Sequence, residues 1–386
     1  MAEPRADLVL LPLPLGEGGG EGRRSRIGPA RGPSLAVRAP ASMPEPLDGL
    51  AACGSKAPSR PQPSPQRGEG AVGRVEGGRK RRPVHGVLLL DKPLGLTSND
   101  ALQKAKRLYR AEKAGHTGTL DPLATGLLPL CFGAATKFSQ ASLDADKRYL
   151  ATLQLGVTTT TGDAEGEVVE HRVVDVTHAQ LLAACARFTG AILQVPPMHS
   201  ALKHEGRALY SYARAGIEVE REARAVTIHS MDVLDDGGAD HRWTLDIHCS
   251  KGTYIRTLAE EIGAALGCGA HLAGLRRTAS GPLPVADAFT LNQLEAMSEA
   301  ERDAALLAPD VLLADAPLVR LDSDEAGRFL SGLRRRLDAA DAAVVRVYGP
   351  EAKAFLGSGV IAAGELISTR LLSPIEVQSL VLTSRA

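Results

Sequence analysis

The sequence predicts an α+β fold built on a mixed, largely antiparallel sheet, with a smaller β-rich domain at its C-terminal end. Strand and helix patterns follow one another from His85 onward without the regular strand and helix alternation of parallel folds. From about Asp310 the pattern changes to short strand candidates separated by glycine turns. At 386 residues the chain also exceeds the usual size of one domain. We therefore expect three parts, residues 1–82, 83–309 and 310–386.

The first part, residues 1–82, is rich in Gly, Pro, Arg and Ser, as in "KAPSRPQPSPQRGEG", and shows no sustained helical or strand period. A segment of this composition buries too little apolar surface to offset the entropy lost on ordering. We interpret it as a disordered low-complexity extension and assign it no function. An alternative is upstream sequence translated from a misplaced start. Its basic end, "GGRKRRPVHG", is interpreted as a solvated tail, with a weak RNA contact as the alternative.

Periodicity predicts the remaining elements in order. His85–Leu90 is apolar and predicts a buried strand, and Lys92-Pro93 predicts a turn after it. Next come a strand "RYLATLQLG", a loop of turn residues "TTTTGDAEGEVV", a capped helix "THAQLLAACARF" and a proline-bounded loop that leads into a helix "ALYSYARAG". Two strands "AVTIHSMDVL" and "RWTLDIHCS", a helix "TYIRTLAEEIGAAL" and a strand and turn "HLAGLRRTASGPLPV" complete the second part. The third part contains strand candidates "APLVRL", "AAVVRVYG" and "GVIAAGELIS" and a helix candidate "SDEAGRFLSGL".

A further helix is expected after the first turn, capped by Ser98 or Asn99 and ending near Tyr109. Its outer face and the residues that follow are basic, a pattern that fits a solvated surface and a phosphate contact equally. The basic residues are Lys104, Lys106, Arg107, Arg110 and Lys113. The basic run 334–336 in the third part has the same two interpretations, with the solvated edge favoured.

Composition excludes several classes of protein. The formal net charge is zero, so a nucleic-acid site must come from local clusters of basic residues. The five cysteines have no CxxC pair and no ligand spacing to histidine, which indicates reduced thiols rather than disulfides or zinc. No run approaches the roughly 20 apolar residues of a membrane helix, and no secretion signal is present, so we expect a cytoplasmic protein. Because no phosphate, dinucleotide or metalloprotease motif occurs, we expect chemistry by side chains alone, with no cofactor and no metal.

One acid, Asp121, stands alone in the weakly charged stretch "AGHTGTLDPLATGLLPLCFG". An Asp in such a loop is usually a turn or helix-cap residue, and the alternative is a carboxylate nucleophile or base. A reactive carboxylate in apolar surroundings needs a nearby cation to stay ionised. Arg256 in "KGTYIRTLAEEIG" is a candidate for that cation if it turns inward. Tyr149 and Tyr254 are among few aromatic residues that could stack on a base.

Six segments occur together in the order and spacing of a known family. They are "HGVLLLDKPLGLTSND", "GHTGTLDPLATGLLPLCFGAATK", "KRYLATLQLGVTTTTGDAEGEV", "VPPMHSALKHEGRALYSYARAG", "CSKGTYIRTLAEEIG" and "LRRTASGP". From His85 to Leu294 the chain resembles the TruB family, the bacterial tRNA pseudouridine-55 synthases. The resemblance implies a pseudouridine synthase catalytic domain that isomerises the T-loop uridine of tRNA without cofactor or metal. In the third part, "FLGSGV" and "LLSP" resemble the small PUA-type RNA-binding domain of family members.

The resemblance also implies roles for single residues. Asp121 matches the catalytic nucleophile, and three routes stay open: attack on C1′, attack on C6, or abstraction of a ribose proton. Arg256 matches the arginine that pairs with this aspartate. Tyr149 matches the tyrosine that stacks on the flipped uracil and is a candidate to take the C5 proton. His116 matches the histidine that lies against the RNA where the uridine leaves its stack. Tyr254 and Leu275 match residues that line the base pocket, and Lys92 and Pro93 match a segment that supports the active-site loop.

We expect the chain to be a monomer that binds the T-arm stem-loop of tRNA. No membrane partner is expected. Phosphate contacts are expected from the basic helix together with Lys203, Arg207, Arg276 and Arg277. His199 departs from the family pattern, which usually has tyrosine there. Two alternatives are a guide-dependent relative that modifies ribosomal RNA and a tRNA-folding chaperone that binds the tRNA elbow without turnover. The intact catalytic residues argue against the chaperone.

Overall fold

The computed structural model describes residues 80–235, 237–351 and 354–383. Our interpretation of residues 1–82 therefore falls almost entirely outside the described residues. Of the last three residues of that part, Arg82 is half-buried, and its guanidinium forms an ion pair with Asp303, with 2.7 Å between Nη1 and Oδ2.

The helices and strands are numbered in chain order. The first are β1 (Gly86–Lys92), α1 (Ser98–Leu108), β2 (Ala114–His116), β3 (Ala124–Phe132), α2 (Ser139–Asp144), β4 (Lys147–Leu155), β5 (Val157–Thr159), β6 (Val168–His171), α3 (His178–Arg187) and β7 (Gly190–Gln194). Next are β8 (Lys203–His204), β9 (Arg207–Ala208), α4 (Leu209–Ala213), β10 (Arg224–Val233), β11 (Arg242–Cys249), α5 (Ile255–Ala265), β12 (Ala270–Ser280), β13 (Leu283–Pro284), β14 (Phe289–Thr290), α6 (Leu291–Ala296) and α7 (Glu299–Ala304). The last are β15 (Leu318–Arg320), α8 (Ser323–Leu330), β16 (Arg335–Arg336), β17 (Ala342–Tyr348), β18 (Phe355–Ala362), β19 (Glu365–Leu371) and α9 (Pro374–Thr383).

A ten-stranded mixed sheet forms the centre of the second part. Its order is β14-β1-β3-β12-β4-β11-β10-β7, with β13 paired to β12 and β2 paired to β3. The pairs β1 with β14 and β3 with β12 are parallel, and the other pairs are antiparallel. The predicted α+β class with a largely antiparallel sheet is confirmed.

The burial of the strands explains their sequence patterns. β4 alternates between buried and more exposed side chains because one of its faces meets solvent. β3 is buried almost throughout, and its sequence is correspondingly a continuous apolar run. One face of the sheet packs in a core with α1, α3, α5 and α6. On the other side, Leu89 and Leu127 share a second core with Tyr348 and Phe355 of the C-terminal part.

The C-terminal part contains a separate five-stranded sheet in the order β15-β17-β18-β19-β16. Its own apolar core includes Phe329 of α8 with Val345, Val347 and Leu366. The predicted small β-rich domain is therefore confirmed. No helix in the described ranges is long and apolar enough to cross a membrane.

The cap predicted for α1 is wrong. Thr97 caps the helix, and its hydroxyl accepts a hydrogen bond from the Asp100 amide at 3.1 Å. Ser98 is buried inside the first turn, and its hydroxyl is engaged with the backbone of Leu120 instead. The cap pattern allows any of several adjacent polar residues, so tertiary contacts decide which one caps the helix.

Two further segments differ from the prediction. The stretch "TTTTGDAEGEVV" is a loop only in its centre, because its ends form the antiparallel pair β5 and β6. The stretch "GVIAAGELIS" is two strands, β18 and β19, joined at Ala363 and Gly364 with φ of 51° and 72°. Gly364 adopts the left-handed conformation without cost, and this permits the tight turn.

Candidate active site

The loop between β2 and β3 carries Asp121 and is fixed by contacts on both sides of that residue. The Ser98 hydroxyl donates to the Leu120 carbonyl at 2.9 Å and accepts from the Leu120 amide at 2.7 Å. The amide of Gly95 donates to the Pro122 carbonyl at 2.9 Å. The two neighbours of Asp121 are therefore held by the start of α1 and by the turn after β1, which restricts the direction of the carboxylate.

Lys92 stabilises the turn that contains Gly95. Its side chain is fully buried, and Nζ donates to the carbonyls of Pro93 at 2.9 Å and Leu96 at 2.6 Å. Burial lowers the pKa of Lys92 to about 8, although the charge of Asp121 opposes this effect. These contacts link Lys92 and Pro93 to the Asp121 loop through Gly95, and the supporting role of both residues stays a prediction.

Arg277 on β12 also holds this loop. Its side chain is buried, with Nε donating to the Leu127 carbonyl at 2.6 Å and Nη2 donating to the Gly118 carbonyl at 3.0 Å. Gly126, with φ of 95°, lies against the Arg277 backbone, where an added Cβ would be 2.3 Å from the carbonyl oxygen. The prediction that Arg277 contacts phosphate is wrong, because the guanidinium is enclosed and satisfied by backbone carbonyls.

Arg256 turns inward and meets Asp121. Helix α5 begins at Ile255, so Arg256 lies in its first turn, with a distance of 3.0 Å between Nη2 and Oδ2 of Asp121. The same guanidinium donates to the carbonyls of Thr161 at 3.2 Å and His199 at 2.6 Å. His199 contributes its backbone here, so the departure of its side chain from the family pattern does not alter this contact. The planar fork of arginine suits several fixed acceptors at once.

The two members of the Asp121 and Arg256 pair differ in exposure. The side chain of Asp121 is 45% exposed, whereas that of Arg256 is 7% exposed. The carboxylate is thus open to a bound molecule, while the cation lies behind it in the protein. Such an arrangement orients the carboxylate and leaves it accessible from the solvent side.

Sequence reasoning missed a second carboxylate at this site. Asp163 lies in the loop between β5 and β6, with a side chain that is 4% exposed and an Oδ2 atom 3.5 Å from Nε of Arg256. Its Oδ1 accepts hydrogen bonds from the Thr161 hydroxyl at 2.6 Å and the Glu165 amide at 3.0 Å. The sequence carries no clear signal for Asp163, because it stands among other acids in "TTTTGDAEGEVV". The positively charged side chain of Arg256 therefore lies between two carboxylates, those of Asp121 and Asp163, and pairs with both.

The two predicted tyrosines lie within the electrostatic reach of Asp121. Tyr149 on β4 is buried, and burial raises the pKa of its phenol while the adjacent Arg277 guanidinium lowers it. Tyr254 precedes α5, and burial raises its pKa as well. The charge of the Asp121 carboxylate adds a small contribution to the upward pKa shift of both phenols.

Buried Gln194, at the end of β7, fixes the backbone of Tyr254. Its side chain accepts a hydrogen bond from the Tyr254 amide at 3.1 Å and donates to the Tyr254 carbonyl at 3.3 Å. Sequence reasoning did not select Gln194, because one glutamine at a strand end carries no local signal.

His116 and Leu275 both lie beside β3, but at different points along it, because His116 pairs in register with Leu130. Leu275 on β12 pairs in register with Ala124 of β3, three residues after Asp121. His116 ends β2, and its Nδ1 atom is buried without a hydrogen-bond partner among the described residues. Burial lowers the pKa of His116, and the charge of Arg277 lowers it further, which favours the neutral imidazole.

Apart from half-buried Lys106 and enclosed Arg277, the basic residues predicted to contact phosphate divide into two groups. Arg276 forms a two-pronged ion pair with Asp91, at 2.7 and 3.0 Å, and Arg110 is paired with Glu299. The exposed basic residues of the predicted set are Lys104, Arg107, Lys113, Lys203 and Arg207. Electrostatic contact with a phosphate backbone is therefore best placed on this second group.

Comparison with known families gives matches over most of the described chain. Residues 106–255 match the TruB family pseudouridylate synthase (N terminal domain). Residues 256–319 match the tRNA pseudouridylate synthase B C-terminal domain, and residues 317–372 match Pseudouridine synthase II TruB, C-terminal.

Similar proteins have the same family name. The chain is 59% identical over 307 residues to the tRNA pseudouridine synthase B of Verminephrobacter eiseniae, covering 78% of this chain and 93% of that relative. It is 59% identical over 300 residues to the protein of the same name in Cupriavidus metallidurans, covering 76% and 95%.

Solved structures give a similar fold. A chain in the crystal structure of a Cbf5-Nop10-Gar1 complex is 26% identical with a TM-score of 0.58, covering 75% of this chain and 84% of that chain. A chain in the structure of an H/ACA RNP bound to a substrate RNA containing 2'-deoxyuridine is 23% identical with a TM-score of 0.58, covering 76% and 86%.

Proposed function

Because the chain belongs to the TruB family of pseudouridylate synthases, we propose that it converts a uridine of tRNA to pseudouridine. The observation that carries this proposal is the accessible carboxylate of Asp121, which is paired at 3.0 Å with the buried guanidinium of Arg256. A reaction that detaches and rejoins a base needs one nucleophile or base at the sugar or ring and an apolar slot around it. The relatives named as tRNA pseudouridine synthase B support tRNA as the substrate.

The substrate position that we propose is the T-loop uridine, position 55. A folded T-loop presents this base near the surface. Moving the base out of its stack therefore costs roughly a few kcal/mol of stacking free energy. Three exposed basic residues lie on α1 or a few residues after its end, and the start of the same helix holds the Asp121 loop. They are Lys104, Arg107 and Lys113. Their positive charges attract the phosphates of the T-arm backbone. We propose that a monomer binds the T-arm in this way.

In the proposed reaction the carboxylate of Asp121 starts the detachment of uracil. Attack on C1′ breaks the bond from C1′ to N1, and the electron pair leaves with the uracil. The uracil then turns, C5 forms a bond to C1′, and the carboxylate is released. Loss of the C5 proton and protonation of N1 complete the isomerisation, with no net gain or loss of atoms. Attack on C6 and abstraction of a ribose proton are two other routes that begin at the same carboxylate.

The other residues serve this step by position. Arg256 orients the carboxylate of Asp121, and Asp163 in turn holds Arg256. We propose that the ring of buried Tyr149 stacks on the uracil and that its hydroxyl takes the C5 proton. Tyr254 and Leu275 line the slot, and neutral His116 lies against the RNA where the uridine leaves its stack.

The test is conversion of an unmodified tRNA transcript by the purified full chain, mapped by carbodiimide modification of pseudouridine. We expect one new pseudouridine in the T-loop, without added nucleotide or metal. A transcript with cytidine in place of that uridine is the matched control and should give no product. Binding of the transcript without any new pseudouridine would contradict the proposal and indicate the chaperone instead.

A further inference from the structure

Three side chains with metal-binding atoms meet on the outer face of the sheet, outside the site described above. Asp146 precedes β4, His229 lies on β10 and His248 lies on β11. The distance from Oδ2 of Asp146 is 3.1 Å to Nε2 of His229 and 4.0 Å to Nε2 of His248. One ligand atom from each residue lies within 4.8 Å of the other two. The three residues therefore present a convergent set of one carboxylate and two imidazoles.

A β-bulge produces this convergence. In the ladder between β10 and β11, Ile228 pairs with Cys249 and Ser230 pairs with His248, which leaves His229 as the extra residue. Bulges re-aim a side chain and are common beside functional sites. Here the extra residue is the one that contacts Asp146, and its imidazole lies 4.7 Å from that of His248 between ring centroids.

The basic residues near these ligands in sequence are engaged with other groups, and Lys147 donates to backbone carbonyls such as that of Leu143 at 2.8 Å. Arg148 forms a two-pronged ion pair with Asp246 at 2.8 Å, and Lys251 pairs with Asp144 at 2.8 Å. The carboxylate of Asp146 is thus left to the two imidazoles.

The geometry fits a tetrahedral or related transition-metal site. Bonds of about 2.0–2.2 Å from the ion to N and O ligands place the ligand atoms roughly 3.3 Å apart. The distance between Asp146 and His229 is close to this value, and the 4.0 Å between Asp146 and His248 exceeds it by less than 1 Å, at a side chain that is 44% exposed. Mixed imidazole and carboxylate donors favour Zn²⁺ or Co²⁺ over Mg²⁺ and Ca²⁺, which prefer oxygen ligands.

Three protein ligands leave coordination positions open, and the surrounding space can receive a further ligand. A cleft of about 500 Å³ includes Asp146 and His248 in its lining, together with Asp144, Gly281, Pro282 and Asp315. The acidic lining adds attraction for a cation. We propose that Asp146, His229 and His248 bind a divalent transition-metal ion, Zn²⁺ or Co²⁺, at the mouth of this cleft.

The bound ion joins the segment before β4 to β10 and β11. Because the ion binds the native arrangement and the ligands separate on unfolding, binding stabilises the folded chain by mass action. The metal ligands are not part of the Asp121 site. Metal binding can therefore be tested without reference to the isomerisation reaction. A sequence scan for metal spacing misses it, since the three ligands come from different strands.

The test uses the full chain without an affinity tag, stripped of metal with a chelator and titrated with Co²⁺ under visible absorption. We expect one Co²⁺ per chain with intense bands of low-symmetry coordination. His229→Gln and His248→Gln should each weaken binding by about tenfold or more, since loss of even an outer contact costs that much. His171→Gln, an exposed histidine on β6, is the matched control and should bind as the wild type does.

Thermal denaturation supplies a second readout and a check of folding. The metal-free variants should melt near the metal-free wild type, and Zn²⁺ should raise the melting temperature of the wild type and His171→Gln but not of His229→Gln. Absence of stoichiometric Co²⁺ binding by the wild type would overturn the proposal. Equal Co²⁺ binding by the double variant His229→Gln, His248→Gln would overturn it too, because the metal would then reside elsewhere.

Discussion

Nε of Arg256 lies 3.5 Å from Oδ2 of Asp163, and both side chains are almost completely buried. The guanidinium also contacts Asp121 at 3.0 Å, so one arginine connects a buried carboxylate with an accessible one. A buried charge is tolerated only when it is paired and hydrogen-bonded. The geometry of Asp121 therefore depends on a residue that has no direct access to substrate.

We predict that Asp163→Asn lowers kcat without weakening tRNA binding. Loss of the negative charge lets Arg256 shift away from its position behind Asp121, and a displacement near 1 Å can cost about 10²-fold in rate. Single-turnover kinetics on an unmodified transcript measures the rate, and filter binding measures affinity. Asp175→Asn, an exposed aspartate, is the matched control. An unchanged kcat in Asp163→Asn would show that Arg256 needs no second carboxylate.

Arg256→Met should lower the free energy of unfolding by about 3 kcal/mol or more, because it leaves the buried Asp163 carboxylate without its cation. Adding Asp163→Asn to this variant should restore part of the loss, since the uncompensated charge is then gone. Urea unfolding at pH 7 of the wild type, both single variants and the double variant completes the cycle. Strictly additive effects would contradict a direct interaction between the two residues.

Ser98→Ala should weaken the Asp121 loop. The hydroxyl makes two hydrogen bonds to the buried backbone of Leu120, and leaving that amide unsatisfied costs about 1–3 kcal/mol. We expect a lower unfolding free energy together with a lower kcat. Ser331→Ala is the control, because that hydroxyl donates only to the Gly327 carbonyl on the exposed part of α8. A stable Ser98→Ala variant with full activity would argue against the supporting role of this contact.

The buried Lys92 predicts a dependence of stability on pH. Burial lowers its native pKa from 10.5 to about 8, so between these values the unfolded chain binds more protons than the native one. The free-energy cost of burying the charged amine destabilises the native chain fully below pH 8. This cost disappears as the pH rises toward 10.5, where the unfolded chain loses the same proton. The stability of the wild type relative to Lys92→Met should therefore increase across this window, by on the order of 3 kcal/mol. Urea unfolding at pH 7.5 and pH 9.5 measures the change, and a constant difference would contradict the lowered pKa.

The sequence predicts elements whose pattern depends on one local face. Alternation in β4 and the amphipathic period of α3 identify these elements because a single face of each is buried. The cap at Thr97 and the turn at Gly364 differ from expectation because tertiary contacts and a left-handed backbone decide them.

The candidate site is predictable only in part. The lone Asp121 and the helix position of Arg256 are visible as unusual local features, and family resemblance assigns their roles. The partner Asp163 and the enclosure of Arg277 are not visible, since each depends on a loop or strand brought from elsewhere in the chain. The same reason hides the cluster of Asp146, His229 and His248, whose members are separated by whole strands.

The central claim is that the carboxylate of Asp121 performs the chemistry. The measurement that tests it most directly is pseudouridine formation by Asp121→Asn in a single turnover, with an excess of enzyme over unmodified tRNA. We expect tRNA affinity equal to that of the wild type and no product over the time in which the wild type converts its T-loop uridine completely. Pseudouridine formation by Asp121→Asn at a rate near that of the wild type would contradict the account.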